Sequence, residues 1–488
     1  MTDVDEAREA TTPSWWPIVV TLAVLTGIGL RAWIVTGHLN ALDGDEAIVG
    51  SMAVHMRHGH LVAFYWGQEY GGSLEPLLTA VAFAVAGTSA AVLKIATACL
   101  SAVAAVLVWR VARRVVDERT AQVAGLLFWV APGVYVWWAT KARGFYWSTL
   151  VCGLLVLLAA LDVADGRHER RAWLLLGAAF GVGWWCSPAI GYFAVPAAIV
   201  IVVRRRAAVL HAWLAIPTAI VGAAPWLWHN VQHGWHSFDR PSQPETVSYT
   251  VGLGRLLWRV VPMTLNLQRP FSQVDVFPGA FPWAYLAIAA LVVVSFAVRR
   301  DRPLLVGVAL LVHPFIYAAL PGAWFVGEAR YAFFLAPFLA VAIAWAVHDA
   351  RMQVATMVLA AVGSVFAMRP IHFPSPTHIG VDVAALEAAG VDHVWLDYFI
   401  ATRVTFESHE RVIAASSLYH RFPPHEDAVR ADPHAGYAFR RGDPKLGLLA
   451  TDLAGRGITW RRVDTPHLVV LLPDRQVLPE ALPGEARP

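Results

Sequence analysis

The feature that most constrains this chain is its series of long apolar runs: Trp15 to Gly37, Leu93 to Val108, Ala121 to Trp138, Phe145 to Leu161, Ala172 to Trp185, Pro188 to Val203, Leu210 to Trp228, Phe281 to Val298, Leu304 to Leu320, Tyr331 to Val347 and Met352 to Met368. An upright helix needs about 20 apolar residues to cross a hydrocarbon core of about 30 Å, so these runs predict about eleven membrane spans. A break at Cys186-Ser187-Pro188 separates two of them, because the apolar stretch around it is too long for one span and Pro188 disfavours a continuous helix. Only 15% of the 488 residues are charged, too few for a soluble domain of this length. The expected fold is mainly α: a polytopic transmembrane helical bundle with juxtamembrane helices in the first outer loop and a small C-terminal extracytoplasmic α/β domain.

Basic residues orient the bundle. The clusters Arg110, Arg113, Arg114 and Arg119; Arg167, Arg170 and Arg171; Arg204 to Arg206; Arg299, Arg300 and Arg302; and Arg351 fall on one face if the spans alternate. That face is read as cytoplasmic. The opposite face receives the loop from His38 to about Ala91, the turn at Lys141 to Arg143, the segment His229 to Pro278, the turn Gly322 to Arg330 and everything after Arg369. The stretch Met1 to Ser14 is acidic and polar, so the first run reads as an uncleaved span of the plasma membrane. The apolar stretch of residues 76–90, read as a span, would send every later arginine cluster outward; a helix in the outer interface is preferred, with an extra span as the alternative.

After Pro370 charge, histidine and proline rise and the long apolar runs end. Residues 1–370 are therefore assigned to the transmembrane module and 371–488 to a separate α/β domain. Within the tail, Val383 to Gly390 has helical spacing with Gly390 placed to end it, Val391 to Leu396 alternates like a strand, Arg411 to Ala415 and Leu468 to Leu472 are short apolar runs, and Lys445 to Gly457 reads as a helix. Cys99, Cys152 and Cys186 all lie in apolar segments, which leaves neither a disulfide framework nor a zinc cluster built on cysteine. The net charge of +3 gives no reason to expect a nucleic-acid partner.

Chemistry concentrates on the outer face. Leu42-Asp43-Gly44-Asp45-Glu46-Ala47 sets three carboxylates directly after the first span, where repulsion and desolvation make them costly. Glu75, and more distantly Glu69, add acid; Lys141, Arg143 and Arg330 add cations in short outer loops, which disfavour them. Glycosyl transfer from a lipid-linked sugar needs these two ingredients, a carboxylate to activate the acceptor hydroxyl and positive charge to hold the departing phosphate.

Asp45-Glu46-Ala47, Gly71-Gly72-Ser73-Leu74-Glu75-Pro76, Ala142-Arg143-Gly144-Phe145-Tyr146 and Glu328-Ala329-Arg330-Tyr331 resemble the glycosyltransferase-C superfamily, in the branch of protein O-mannosyltransferases and lipid A aminoarabinose transferases. The resemblance covers about 370 residues in layout, with its detail confined to those motifs. It implies a catalytic carboxylate at Asp45, with Glu46 beside it, a second cavity acid at Glu75, and contacts from Arg143, Arg330 and Tyr331 to a polyprenyl phosphate. The tail around Tyr398 to Glu407 and Arg411 to Ser416 is similar to the extracytoplasmic end of some bacterial members. The branch often carries a basic residue beside the second glutamate, whereas here Leu74-Glu75-Pro76-Leu77 has none; Lys141 is the candidate substitute.

Plainer readings stand beside these. Asp43 and Asp45 suit the N-cap of a juxtamembrane helix, Glu75 suits a helix first turn, and Arg143 and Arg330 suit ordinary lipid headgroups. His229, His233 and His236 recur at near-helical spacing, but Gly234 interrupts them among 19 histidines, so loop histidines are preferred; no cofactor is assigned and a divalent metal stays open. The tryptophan pairs are explained by interfacial belting. The function expected is a membrane enzyme moving a hexose or pentose, with inversion, from a polyprenyl-phosphate-sugar donor to a glycan, lipid or protein acceptor. The alternative is a lipid or glycan transporter or flippase of the cell envelope, disfavoured because charges avoid the span centres.

Overall fold

The computed structural model describes residues 13–239, 245–373 and 378–488. Residues 1–12 of the polar N-terminal stretch and 240–244 of the segment His229 to Pro278 lie outside the described residues. The chain forms two units that interleave in sequence: Met1–Thr36, Thr97–Thr140 and Phe145–Ile371 make the first, and Gly37–Ala96, Lys141–Gly144 and His372–Pro488 the second. One division falls beside the change of composition at Pro370. The loop after the first span groups with the tail.

The first unit is helical. Trp16–Thr36, Ala90–Ala112, Tyr146–Ala164, Phe281–Val298 and Ala350–Met368 are long and apolar enough to cross a membrane, and the bent pair Pro188–Gly222 and Ala224–His233, at 65°, makes a sixth candidate. The first residues of Ala90–Ala112 belong to the second unit. The other expected spans fall in shorter or more polar helices, such as Leu304–Ala319, Arg330–Ala346 and Glu169–Cys186. The break at 186–188 is where Glu169–Cys186 stops, and the Ser187 hydroxyl accepts from the Ala189 amide to start a 3₁₀ turn. Ile18, Leu22, Leu25, Val293 and Val294 present apolar side chains to the surroundings, a surface suited to lipid rather than water.

The arginine clusters of this unit meet one another. Arg114 pairs with Asp162 at 2.6 Å and Asp165 at 2.7 Å, Arg204 reaches Asp165 at 3.4 Å, and Arg205 pairs with Glu169 at 2.8 Å. Arg119 donates to the His348 carbonyl at 2.6 Å. Asp165 thus links two of the clusters, that of Arg114 and that of Arg204.

In the second unit the tail folds around a five-stranded sheet of β1 (His393–Trp395), β2 (Ile413–Ala415), β3 (Gly436–Arg440), β4 (Trp460–Asp464) and β5 (Leu468–Pro473), in the order β2-β1-β3-β5-β4. β1 runs parallel to β2 and β3, while β5 is antiparallel to β3 and β4. Alternation splits the strands between two cores: Val394, Ala414, Ala438 and Val470 pack on one face, and Trp395, Ala415, Tyr437 and Leu471 on the other. Helices Gly380–Ala388 and Tyr398–Glu407 cover the first face; Pro423–Ala431 and Lys445–Gly455 cover the second.

The loop after the first span contributes helices Gly44–Arg57 and Leu74–Ala86. The second has only 13 residues, too few for an upright span. Ala47, Ile48, Met52 and Phe83 join Tyr398 and Phe406 in a separate core. Gly50 permits this packing: a Cβ there would stand 2.4 Å from the Phe406 ring.

Candidate active site

Helix Gly44–Arg57 begins with a capping box, in which the Asp43 carboxylate accepts from the Glu46 amide at 2.9 Å and the Glu46 carboxylate accepts from the Asp43 amide at 3.0 Å. The same box aligns three carboxylates on one helical turn. Asp43 is thus a cap, while the side chain of Asp45, one residue into the helix, takes no part in capping.

Glu46 is fully buried, and both its oxygens are engaged. Lys94 donates to one at 2.8 Å and Lys141 to the other at 2.6 Å, with both lysines as buried as the acid. Lys141 also donates to the Ala41 carbonyl. It arrives on the short segment Lys141–Gly144, where Gly144 adopts a φ of +89° over the face of Tyr65, a position at which a Cβ would meet the ring at 2.8 Å.

Arg143, from the same segment, donates to Asp43 at 3.0 Å and stands 3.9 Å from Asp45. Desolvation pushes the Asp43 carboxyl up, but Arg143, Lys141, the Glu46 amide and Lys94 outweigh it and hold the group down at about 2. Asp43, Asp45 and Glu46 therefore face Lys94, Lys141 and Arg143 in equal number.

Asp45 is the least satisfied of the three acids. Its carboxylate has the Tyr398 hydroxyl at 3.3 Å and the distant Arg143, while its backbone carbonyl accepts from the Tyr65 hydroxyl at 2.9 Å. It keeps 29% of its side chain exposed, against none for Glu46. Burial, reinforced by Asp45, lifts the phenols of Tyr65 and Tyr398 above their ordinary range, so both remain hydrogen-bond donors at neutral pH. Arg421 donates to the Tyr398 oxygen at 3.2 Å and to Gln68 at 3.2 Å, bringing a further cation to the Asp45 side of the cluster.

Glu75, at the start of Leu74–Ala86, is buried, and neither carboxylate oxygen has a hydrogen-bond partner among the described residues. Burial raises its carboxyl to about 8; the nearby Arg143 amide, without a well-formed bond, offsets only part of that. Glu75 is thus protonated at neutral pH, an acid kept uncharged by its surroundings.

Arg330 and Tyr331 belong to the first unit. Arg330 donates to the buried Glu328 carboxylate from Nε at 2.7 Å and again from Nη2, and its guanidinium lies over Phe325 at 5.0 Å. Trp138 donates to the other Glu328 oxygen at 3.4 Å. The intervening Ala329 has a φ of +52° and offers its carbonyl to the Tyr135 hydroxyl at 2.9 Å. Tyr331 packs against Gly322, where a Cβ would meet its ring at 2.7 Å.

The structure therefore brings together Asp45, Glu46, Glu75, Lys141 and Arg143 of the expected site residues, and sets Arg330 and Tyr331 with Glu328. Lys94, Tyr65, Tyr398 and Arg421 were not anticipated. For Lys94 the signal was present: a lysine one residue into an apolar run asks for a buried partner. Arg421 and Tyr398 become visible only when the tail is folded against the first loop, and Tyr65 only when that loop folds back on Asp45. His229 and His233 stack on each other at 4.0 Å, and His236 bonds to Asp239; the three do not form a chelate.

The site and fold define a polytopic helical membrane protein with a charged cluster formed between the loop after its first span and its α/β tail. Residues 74–229 match the family model of the dolichyl-phosphate-mannose-protein mannosyltransferases. The fold is shared with ArnT from Cupriavidus metallidurans, solved in the apo state and bound to undecaprenyl phosphate. The two ArnT structures have a TM-score of 0.58 at 13% identity; the apo match covers 94% of this chain and 97% of ArnT. The oligosaccharyltransferase of Archaeoglobus fulgidus, tethered to an acceptor peptide, is similar with a TM-score of 0.52 at 12% identity, over 97% of this chain and 77% of that one. No curated protein matches the sequence. The family match and the shared fold support the glycosyltransferase-C superfamily, in its branch of ArnT and the protein mannosyltransferases, as the sequence motifs implied.

Proposed function

We propose that this protein is a membrane glycosyltransferase that moves a sugar from a polyprenyl-phosphate donor to an acceptor hydroxyl at the outer face of the plasma membrane. The lipid class is inferred from the family match and from the relatives solved with undecaprenyl phosphate and dolichol phosphate. In this proposal the shorter and bent helices also span, for about eleven in all, with the arginine clusters inside and the charged cluster outside.

The observation that carries the mechanism is the state of Asp45. Within the cluster it is the carboxylate with free capacity, partly exposed, with its side chain held by the Tyr398 hydroxyl and its backbone carbonyl by the Tyr65 hydroxyl. Asp45 takes the proton of the acceptor hydroxyl as that oxygen bonds to the anomeric carbon. The bond from that carbon to the phosphate oxygen breaks on the opposite face, inverting the centre and releasing polyprenyl phosphate with one more negative charge. Arg143 and Arg421 supply positive charge beside Asp45 for that departing group. Glu46, saturated by two lysines, holds the helix in place rather than reacting, and neutral Glu75 serves as a hydrogen-bond donor.

Asp45→Asn keeps the shape but cannot accept the proton. Loss of a general base typically costs about 10²- to 10⁴-fold, to be read as transfer from polyprenyl-phosphate sugar by protein with an unchanged melting profile. Wild-type turnover by the well-folded variant removes Asp45 from the mechanism.

A further inference from the structure

A second constellation in this unit takes no part in that chemistry. Glu410 Oε1 accepts from His55 Nε2 at 2.7 Å and from His425 Nε2 at 2.9 Å, and the three ligand atoms lie within 4.8 Å of one another. The side chains are 22%, 33% and 17% exposed in the order His55, Glu410, His425, shielded yet reachable. We propose that His55, Glu410 and His425 form a binding site for a zinc-class divalent cation, with water completing the coordination.

The donor set suits such an ion: two imidazole nitrogens and one carboxylate oxygen are a recurrent zinc triad with an open fourth position. Ligand atoms around a tetrahedral zinc, at bond lengths of about 2.0–2.1 Å, stand about 3.3 Å apart. The two nitrogen–oxygen separations, 2.7 and 2.9 Å, would open by about half an ångström to admit the ion, while the two imidazole nitrogens, within 4.8 Å of each other, would settle to the same spacing. Both histidines present the same nitrogen to one carboxylate oxygen.

The surroundings hold these rings in place. Trp66 and Phe422 stack at 3.9 Å, and His55 stands edge-on to both, at 5.1 and 5.2 Å. His425 is edge-on to Phe422 at 4.7 Å. Glu410 and the preceding His409 both adopt left-handed backbone, with φ of +61° and +54°, a conformation that non-glycine residues hold only when the fold requires it. That turn, just beyond helix Tyr398–Glu407, directs the carboxylate at the imidazoles.

The role is structural. His55 follows Asp45 by ten residues on the same helix, which sets it about 15 Å along the axis from the reacting group. The ion would fasten the far end of the acidic helix to the tail across a sequence separation of 355 residues.

The test uses the untagged full-length protein in detergent, stripped with a chelator, returned to Zn²⁺ or Co²⁺ and dialysed. One retained equivalent is expected, with a cobalt visible spectrum of four-coordinate nitrogen and oxygen ligation and a higher melting temperature than the stripped protein. Glu410→Gln preserves the hydrogen-bond acceptor and His425→Gln preserves bulk; each is expected to weaken metal affinity by at least ~100-fold, beyond the usual effect of disturbing an outer ligand contact. Each should melt like stripped wild type. His229→Gln, which alters the stacked pair elsewhere, should retain the metal. No retained equivalent in wild type, or equal retention in Glu410→Gln and His425→Gln, overturns the site.

Discussion

Replacing Glu46 by glutamine tests whether the charged cluster is a clasp or a catalyst. Gln is accepted at the third position of a capping box, so the helix start survives and the perturbation falls on charge alone. It leaves Lys94 and Lys141, each almost wholly buried and within 2.8 and 2.6 Å of the substituted side chain, without their carboxylate. Breaking a buried pair from one side costs about 3–5 kcal/mol, and one acid serving two ammonium groups places this case toward the upper end. At roughly 2–4 °C per kcal/mol for a unit of this size, the melting temperature should fall by roughly 6–20 °C. The double variant Glu46→Gln with Lys94→Met restores charge balance and should recover more than half of that loss, together with transfer activity. Tryptophan fluorescence during heating in detergent gives the first number and a lipid-linked sugar assay the second. A Glu46→Gln protein melting within a few degrees of wild type would refute the clasp. A double variant that is stable but inactive would make Glu46, not Asp45, the reacting carboxylate.

The buried Glu75 gives a pH signature. Its folded carboxyl, at about 8, lies above the ordinary value of about 4.3, so the folded state holds the extra proton and the stability associated with it is complete below pH ~4.3 and lost as pH rises through about 8. Glu75→Gln should flatten the melting temperature across that window and exceed wild type at its alkaline end; an unchanged profile would show that Glu75 is ionised. Gly50→Val forces side-chain atoms into the Phe406 ring and should cost about 1–3 kcal/mol by overpacking, read as lower melting; the further change Phe406→Leu should relieve part of it.

Much of this architecture was legible because it rests on local patterns. The five long apolar helices and the break at Cys186-Ser187-Pro188 follow from runs of one chemistry, whereas the grouping of residues 37–96 and 141–144 with the tail does not. In the tail the helix ending at Gly390, the strands at 393–395, 413–415 and 468–473, and helix Lys445–Gly455 coincide with predicted segments. What escaped were β3, β4 and the helices Tyr398–Glu407 and Pro423–Ala431. β4, Trp460–Asp464, is an edge strand with exposed arginines, which keep such an edge from pairing but erase its apolar alternation. β3 is short and buried along most of its length, so it carries no period-two signal. The same limit applies to the site. Asp45 and Arg143 announced themselves as charges where charge is costly, while Tyr398 and Arg421 are ordinary residues of a polar tail. Their meaning comes from a contact more than 350 positions away in the chain.

The second unit is assembled from three separated pieces of chain, and this makes its completion a matter of timing. The loop after the first span is synthesised early, but the core that seats its acidic helix needs Tyr398 and Phe406. At about 5–20 residues per second, roughly 15–60 s pass between Ala96 and Tyr398. During that interval Ile48 and Met52 lack part of their apolar cover, while Glu46 and Lys94 wait for Lys141 to arrive with the middle piece. The tail thus acts as a late quality gate: a chain interrupted before residue 398 leaves the loop with its acids present and its core unfinished. Nascent chains halted before and after that point should differ sharply in protease sensitivity near Leu61, an exposed residue of the same loop.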